Sequence, residues 1–285
     1  MQKAISADGT PIAYDTVGSG PPVILVDGAF GTRAMGPNQP LAPLLAEHLT
    51  VVTYDRRGRG DSGDAPRSTI DREIEDIQTL VDAVGGTAYL YGISSGAALA
   101  LEAAARTPAV TKLALYEVPF VVDDTRPPVP DDYLTHLDRL LAAGKRADAV
   151  RYFMRIGIGV PAIVVALMRF MPPWPKLKAV AHTLPYDTLL TVEHQRGKPL
   201  PEDRWSTVTQ STLVASGTKS QQWIQNAMHA LAGALPNAER VELKGQTHIV
   251  KPKALAPILE AFFVPKSTPS ANGRHRAATA TAAAR

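Results

Sequence analysis

One short stretch, residues 87–105, carries a strand, a sharp turn and a helix in succession, and it constrains the fold more than any other part of the chain. The apolar run Thr87-Ala88-Tyr89-Leu90-Tyr91 leads into Gly92-Ile93-Ser94-Ser95-Gly96, and the small residues Ala97 to Ala105 follow. A strand that turns abruptly into a helix at G-x-S-x-G projects its central serine beyond the sheet as a nucleophile elbow. Glycine two residues to either side lets neighbouring backbone approach where a Cβ would collide. The register is unambiguous. Were Ser95 the nucleophile, Ile93 and Ala97 would occupy the glycine positions, so Ser94 is the candidate nucleophile.

The rest of the chain alternates in the same way. Residues 10–17 read as an early strand ended by Gly18-Ser19-Gly20-Pro21-Pro22. Val23 to Val26 and Leu49 to Tyr54 are continuous apolar runs, the mark of strands buried on both faces. Residues 71–84 place Ile74, Ile77, Leu80, Val81 and Val84 at helical spacing. Strands at 112–116, 212–215 and 240–243 follow, with a helical run over 221–235. Short strands alternating with helices imply a mostly parallel sheet covered on both faces. Residues 1–120 and 206–264 form this core. Residues 121–205 interrupt it with helical, then proline-dense sequence that reads as a cap. The apolar stretch from Ile156 to Met168 is short and contains Pro161, so it reads as a buried cap helix or pocket lining rather than a membrane anchor.

Composition excludes several classes. There is no cysteine, so thiol nucleophiles, disulfides and zinc–thiolate sites are out. The first residues have no apolar signal region, and a cytoplasmic location is expected. The formal net charge of +3 hints at nucleic acid, but Lys266, Arg274, Arg276 and Arg285 lie in a tail without acids; subtracting those four leaves the body at −1. That tail, 265–285, is rich in Ala, Thr, Ser and Pro and is expected to be disordered. No nucleic-acid or membrane partner, metal or cofactor is expected; oligomeric state is not readable. No His/carboxylate pair has a spacing like H-E-x-x-H.

Four motifs converge on a family. Val26-Asp27-Gly28, the run Asp55-Arg56-Arg57-Gly58-Arg59-Gly60-Asp61-Ser62, the Ser94 elbow and Gly245-Gln246-Thr247-His248, in that order, resemble the α/β-hydrolase superfamily over roughly residues 8–264. The resemblance implies an α/β fold with an eight-stranded, mostly parallel sheet, helices on both faces, an inserted helical cap, and a Ser–acid–His triad in that chain order. His248 lies on a loop just past the last strand, where such a base must reach Ser94. The other six histidines fall in the cap, the tail, or helix-like segments.

The acid departs from the commonest pattern. Most relatives place an aspartate after the strand that here is 212–216, yet no carboxylate occurs from Trp205 through Ala238. Either the triad is degraded or the acid comes from elsewhere. Glu117, at the carboxyl end of strand 112–116, stands one strand beyond the elbow and is the candidate; Asp131 and Asp132 in the cap are weaker rivals. A carboxylate there can fix the imidazole tautomer and stabilise the imidazolium. This arrangement is similar to that of the zearalenone lactonases, which also combine a Ser-Ser-Gly elbow, a Glu-x-Pro after the next strand, and Asp-Gly instead of His-Gly.

The same framework implies an oxyanion hole from the backbone N–H groups of Ser95 and Ala29. Asp27, Asp55, Arg56 and Arg57 read as loop scaffolding. Phe30, Phe120, Trp174, Tyr186, Trp223 and Ile249 are candidates for an apolar substrate pocket, though such residues equally serve as core. The expected activity is hydrolysis of a small-molecule ester or lactone. The alternatives are a ligand-binding protein on the same fold and a carbon–carbon bond hydrolase.

Overall fold

Alternate residues of the central strands serve opposite faces of one sheet, and this alternation builds two cores. In β3 (Pro22–Val26), Ile24 and Val26 pack toward α2 (Ile70–Ala83), α3 (Ser95–Arg106) and α9 (Gln222–Ala234). Val23 and Leu25 pack toward α1 (Ala42–Leu45) and α10 (Pro252–Phe263). The structure is a computed structural model and describes residues 1–65 and 68–264; the tail expected at 265–285 lies outside them.

The sheet runs β1 (Gln2–Ile5), β2 (Pro11–Val17), β4 (Thr50–Tyr54), β3, β5 (Ala88–Ile93), β6 (Val110–Tyr116), β7 (Ser211–Gly217), β8 (Ala238–Leu243). Only the β1–β2 and β2–β4 pairs are antiparallel. This is the expected eight-stranded, mostly parallel sheet with helices on both faces. Strand β1 had no signal in the sequence, because its edge position leaves its residues largely exposed and removes the apolar alternation.

Between β6 and β7 lies an insertion without strands: α4 (Tyr133–Ala142), α5 (Arg146–Tyr152), a π-helical turn over Phe153–Ile158, α6 (Ala162–Met168), α7 (Trp174–Ala179) and α8 (Leu184–Thr191). It builds a third core around Tyr133, Leu137, Val150, Phe153 and Leu184. The stretch 156–168 differs from expectation. Gly159, at φ 83°, ends the π-helical turn, and Pro161 restarts the chain as α6. Gly157 to Pro161 line the cavity beside Ser94, but Ile163, Val164 and Leu167 are 69%, 45% and 56% exposed, so α6 is not a buried helix. No described helix is long and apolar enough to cross a membrane.

Candidate active site

Among the described residues, the non-glycine positions with positive φ are Phe30 (65°), Ser94 (58°) and Glu117 (50°). Such strained backbone persists only where its surroundings enforce it, and it concentrates at functional sites. Ser94 sits between β5 and α3 with ψ −130°. Its N–H donates to Tyr116 O at 2.9 Å, tying the turn to β6. Both flanking glycines are needed. A Cβ on Gly92 would lie 2.5 Å from Gly96 O, and one on Gly96 would lie 2.4 Å from Val26 O.

Glu117 continues β6 by donating its N–H to Ala215 O, and the left-handed turn there carries its side chain inward, where it is fully buried. Its Oε1 accepts from Gly217 N at 2.7 Å and from the Ser220 hydroxyl. Its Oε2 lies 2.9 Å from His248 Nδ1. The end of β7 and the loop after it, where the commonest pattern has an aspartate, thus supply donors that hold a glutamate from the neighbouring strand β6. The His248 loop is fixed from both sides. Tyr116 OH donates to Thr247 O at 2.8 Å, and Lys219 N–H donates to Gln246 O at 2.9 Å. The rival acids are elsewhere: Asp131 pairs with Arg196 at the surface, and Asp132 is exposed at the start of α4.

Gly28 lies directly against Ser94; a Cβ there would come within 3.0 Å of Ser94 Cβ. The next residue, Ala29, and Ser95 both line the cavity beside Ser94, and among the described residues neither backbone N–H has an acceptor. A buried ion network lies behind them. Arg59 Nη1 donates to Gly28 O at 2.8 Å and to Gly31 O at 3.3 Å, clamping the turn that carries Ala29. Arg59 Nη2 and Arg56 Nη1 each lie 2.6 Å from the carboxylate of Asp187, on α8. The same carboxylate accepts from Ser95 Oγ at 2.8 Å. Burial alone would push the Asp187 carboxyl up, but Arg59, Arg56 and the Ser95 hydroxyl hold it below its ordinary value. Arg56 also makes a bidentate pair with Glu73 at 2.7 Å, and Arg57 one with Asp76. The run from Asp55 to Ser62 is therefore scaffolding in a specific sense: Arg56 and Arg59 tie α8 to the turn after β3, behind the elbow, while Arg57 ties α2 to Asp8.

Ser94 and His248 open into a cavity of about 310 Å³. Trp223 and Ile249 line it, as expected from sequence. Four other expected pocket residues do not. Phe30 and Trp174 are buried in the insertion's own core, Phe30 edge-on to Phe153 and Trp174 beneath Arg151. Phe120 stacks on Trp205 in the main core, and Tyr186 is half-buried with its hydroxyl donating to Asp64. The walls come instead from Tyr133, Phe153, the Gly157–Pro161 segment, and Thr188, Thr191 and Gln195 on and just after α8.

The sequence matches the alpha/beta hydrolase family over residues 23–258. The chain belongs to that family. A crystal structure of an alpha/beta hydrolase from Sphaerobacter thermophilus is 52% identical, covers 92% of this chain and 100% of its own, and superposes with a TM-score of 0.85. The enol-lactonase from Burkholderia xenovorans shares 22% identity over 92% of this chain and 96% of its own, with a TM-score of 0.62, and shows the fold alone. Zearalenone hydrolase of Cladophialophora bantiana is 28% identical over 150 residues, 50% of this chain and 56% of that protein. The curated relatives are matched over 35% to 56% of their own lengths.

Within this member of the alpha/beta hydrolase family, Asp27 has a measurable consequence. Burial pushes its carboxyl up to about 7, only partly opposed by a backbone hydrogen bond from Asn38 and by Arg59 and Arg56. It is packed against two glycines, since a Cβ on Gly31 or Gly36 would lie within 3.0 Å of its side chain. A carboxyl raised in the folded state binds its proton more tightly there than in the unfolded chain. Stability therefore falls as pH rises from about 4 to about 7. Asp27→Asn should flatten this slope. Melting curves at about pH 5 and pH 8 should show a smaller loss of Tm in the variant than in wild type; an unchanged slope would show that Asp27 does not titrate in this range.

Proposed function

We propose that this protein is a serine hydrolase that cleaves a small carboxylic ester or lactone through an acyl-enzyme on Ser94. The observation that carries the reading is the pairing of His248 Nδ1 with a Glu117 carboxylate that is fully buried and held by two further donors. That pairing puts the Nδ1 proton toward Glu117, leaving Nε2 as the acceptor for the Ser94 hydroxyl proton. As Ser94 Oγ bonds to the carbonyl carbon, negative charge moves to the carbonyl oxygen. The Ala29 and Ser95 N–H groups stabilise it, the latter at the positive end of α3. The C–O bond to the alcohol then breaks, and the imidazolium returns its proton to the leaving oxygen. Water, deprotonated by the same nitrogen, attacks the acyl carbon and releases the acid.

The insertion acts as a cap in this reading, because its residues make up much of the cavity wall. A volume near the lower end for small-molecule sites favours compact substrates. The partial likeness to zearalenone hydrolase supports including lactones among them. The test is a fluorophosphonate probe on the full chain, with the adduct mapped by peptide mass, alongside a panel of short-chain esters and lactones. Labelling at Ser94 with turnover of one of these classes is expected. A folded protein that neither labels nor turns over any of them would be a binding protein on this fold, and the reading would be wrong.

A further inference from the structure

We propose that the outer face of the insertion, formed by α6 and the turn that follows it, docks on an anionic lipid surface. Ile163, Val164, Leu167, Phe170 and Met171 lie within one short segment and are 45% to 72% exposed. Apolar side chains grouped in this way on a folded surface mark an interaction site. The charge around them is one-sided. Between residues 145 and 178 there are seven lysines and arginines and a single acid, Asp148, which is already paired with Arg151. Lys145, Arg151, Arg155 and Arg169 line the groove between α5 and α6, and the Arg169 guanidinium lies 4.5 Å from the centre of the Phe170 ring. The body of the chain up to residue 264 carries a formal −1, whereas residues 145–178 within it, with seven cations and one acid, carry +6.

The pairing of cations with exposed apolar side chains selects the occupant. A second copy meeting the same face across a two-fold axis would stack these cations against one another. A purely apolar partner would leave the arginines desolvated and unpaired. An anionic lipid surface satisfies both. The apolar side chains enter the acyl boundary, while the longer basic side chains stay at the level of the phosphates. With seven residues, α6 is far too short to span a bilayer, so it lies on the surface. This departs from the expectation of no membrane partner, and it does so because α6 proved to be exposed. The placement also bears on access. Val160 and Pro161 line the cavity and run directly into α6.

The inference concerns a surface and stands whether or not Ser94 is a nucleophile. Its test is co-sedimentation of the full chain with vesicles of phosphatidylcholine, alone or mixed with phosphatidylglycerol. Binding to the mixed vesicles should exceed binding to phosphatidylcholine by about 10-fold or more and should be lost as salt rises toward about 1 M. The double variants Leu167→Asp/Phe170→Asp and Arg155→Glu/Arg169→Glu should each weaken binding by about 10-fold or more, with circular dichroism confirming an unchanged fold. Equal binding to both vesicle types, or none, would overturn the proposal. So would variants that bind like wild type, because the basic residues beyond 264 would then account for the binding. A concentration-dependent dimer abolished by Leu167→Asp/Phe170→Asp would overturn it as well, and would make the face an interface between copies.

Discussion

Ser94→Ala should lower kcat by about 10⁶-fold, whereas Ser95→Ala, one residue on, should stay within about 10-fold of wild type. The contrast follows from geometry. At position 94 the hydroxyl is the proposed nucleophile, and its backbone is held at φ 58° by the Gly92–Gly96 approach and the bond to Tyr116 O. At position 95 the proposed reaction uses the main-chain N–H, which alanine retains; the hydroxyl donates instead to Asp187. Initial rates on whichever ester or lactone wild type turns over fastest would decide it. Comparable losses at both positions would mean that the link to Asp187 aligns the oxyanion donor far more strictly than expected. Near-wild-type activity in Ser94→Ala would remove the nucleophile.

Glu117→Gln should cost about 10⁴-fold in kcat with little change in KM. The size is preserved, so the loss does not come from a cavity. Gly217 N and the Ser220 hydroxyl both donate to Oε1, so the amide oxygen of glutamine must take that place. The amide NH₂ then faces His248 Nδ1 and makes it an acceptor. The ring is driven into the tautomer with its proton on Nε2, which cannot take the proton of Ser94. The negative charge that stabilises the imidazolium is lost in the same substitution. Steady-state kinetics with a melting curve would separate this from unfolding. Turnover within a few-fold of wild type in a stable variant would show that Glu117 is structural.

The elbow was legible because its requirement is local: only glycine fits at 92 and 96, and both spacings stand in the sequence. Glu117 was legible by elimination, since the usual acid position is empty of carboxylates. Why that loop nonetheless matters was not. The direction of the Gly217 N–H and the reach of Ser220 are facts of backbone geometry, and residue type does not encode them. The pocket was read poorly for a related reason. An aromatic side chain buried against another, as Phe120 is on Trp205, has the same sequence signature as one lining a cavity. The actual lining includes glycines and threonines, which carry no such signature. Asp187 left one clue, a lone acid in the run Leu184-Pro185-Tyr186-Asp187-Thr188-Leu189-Leu190-Thr191, where an acid must find a buried partner or be expelled.

That aspartate makes the insertion hard to exchange. A foreign helical segment grafted between β6 and β7 could match the apolar contacts and still leave Arg59 facing the back of the elbow with no carboxylate of its own. Recombination at this boundary, by a breeder of chimeras or by evolution, is thereby restricted to donors that bring an acid to the same place. The walls of the cavity are free of that constraint, but the helix that carries Asp187 must match the arginines of the core.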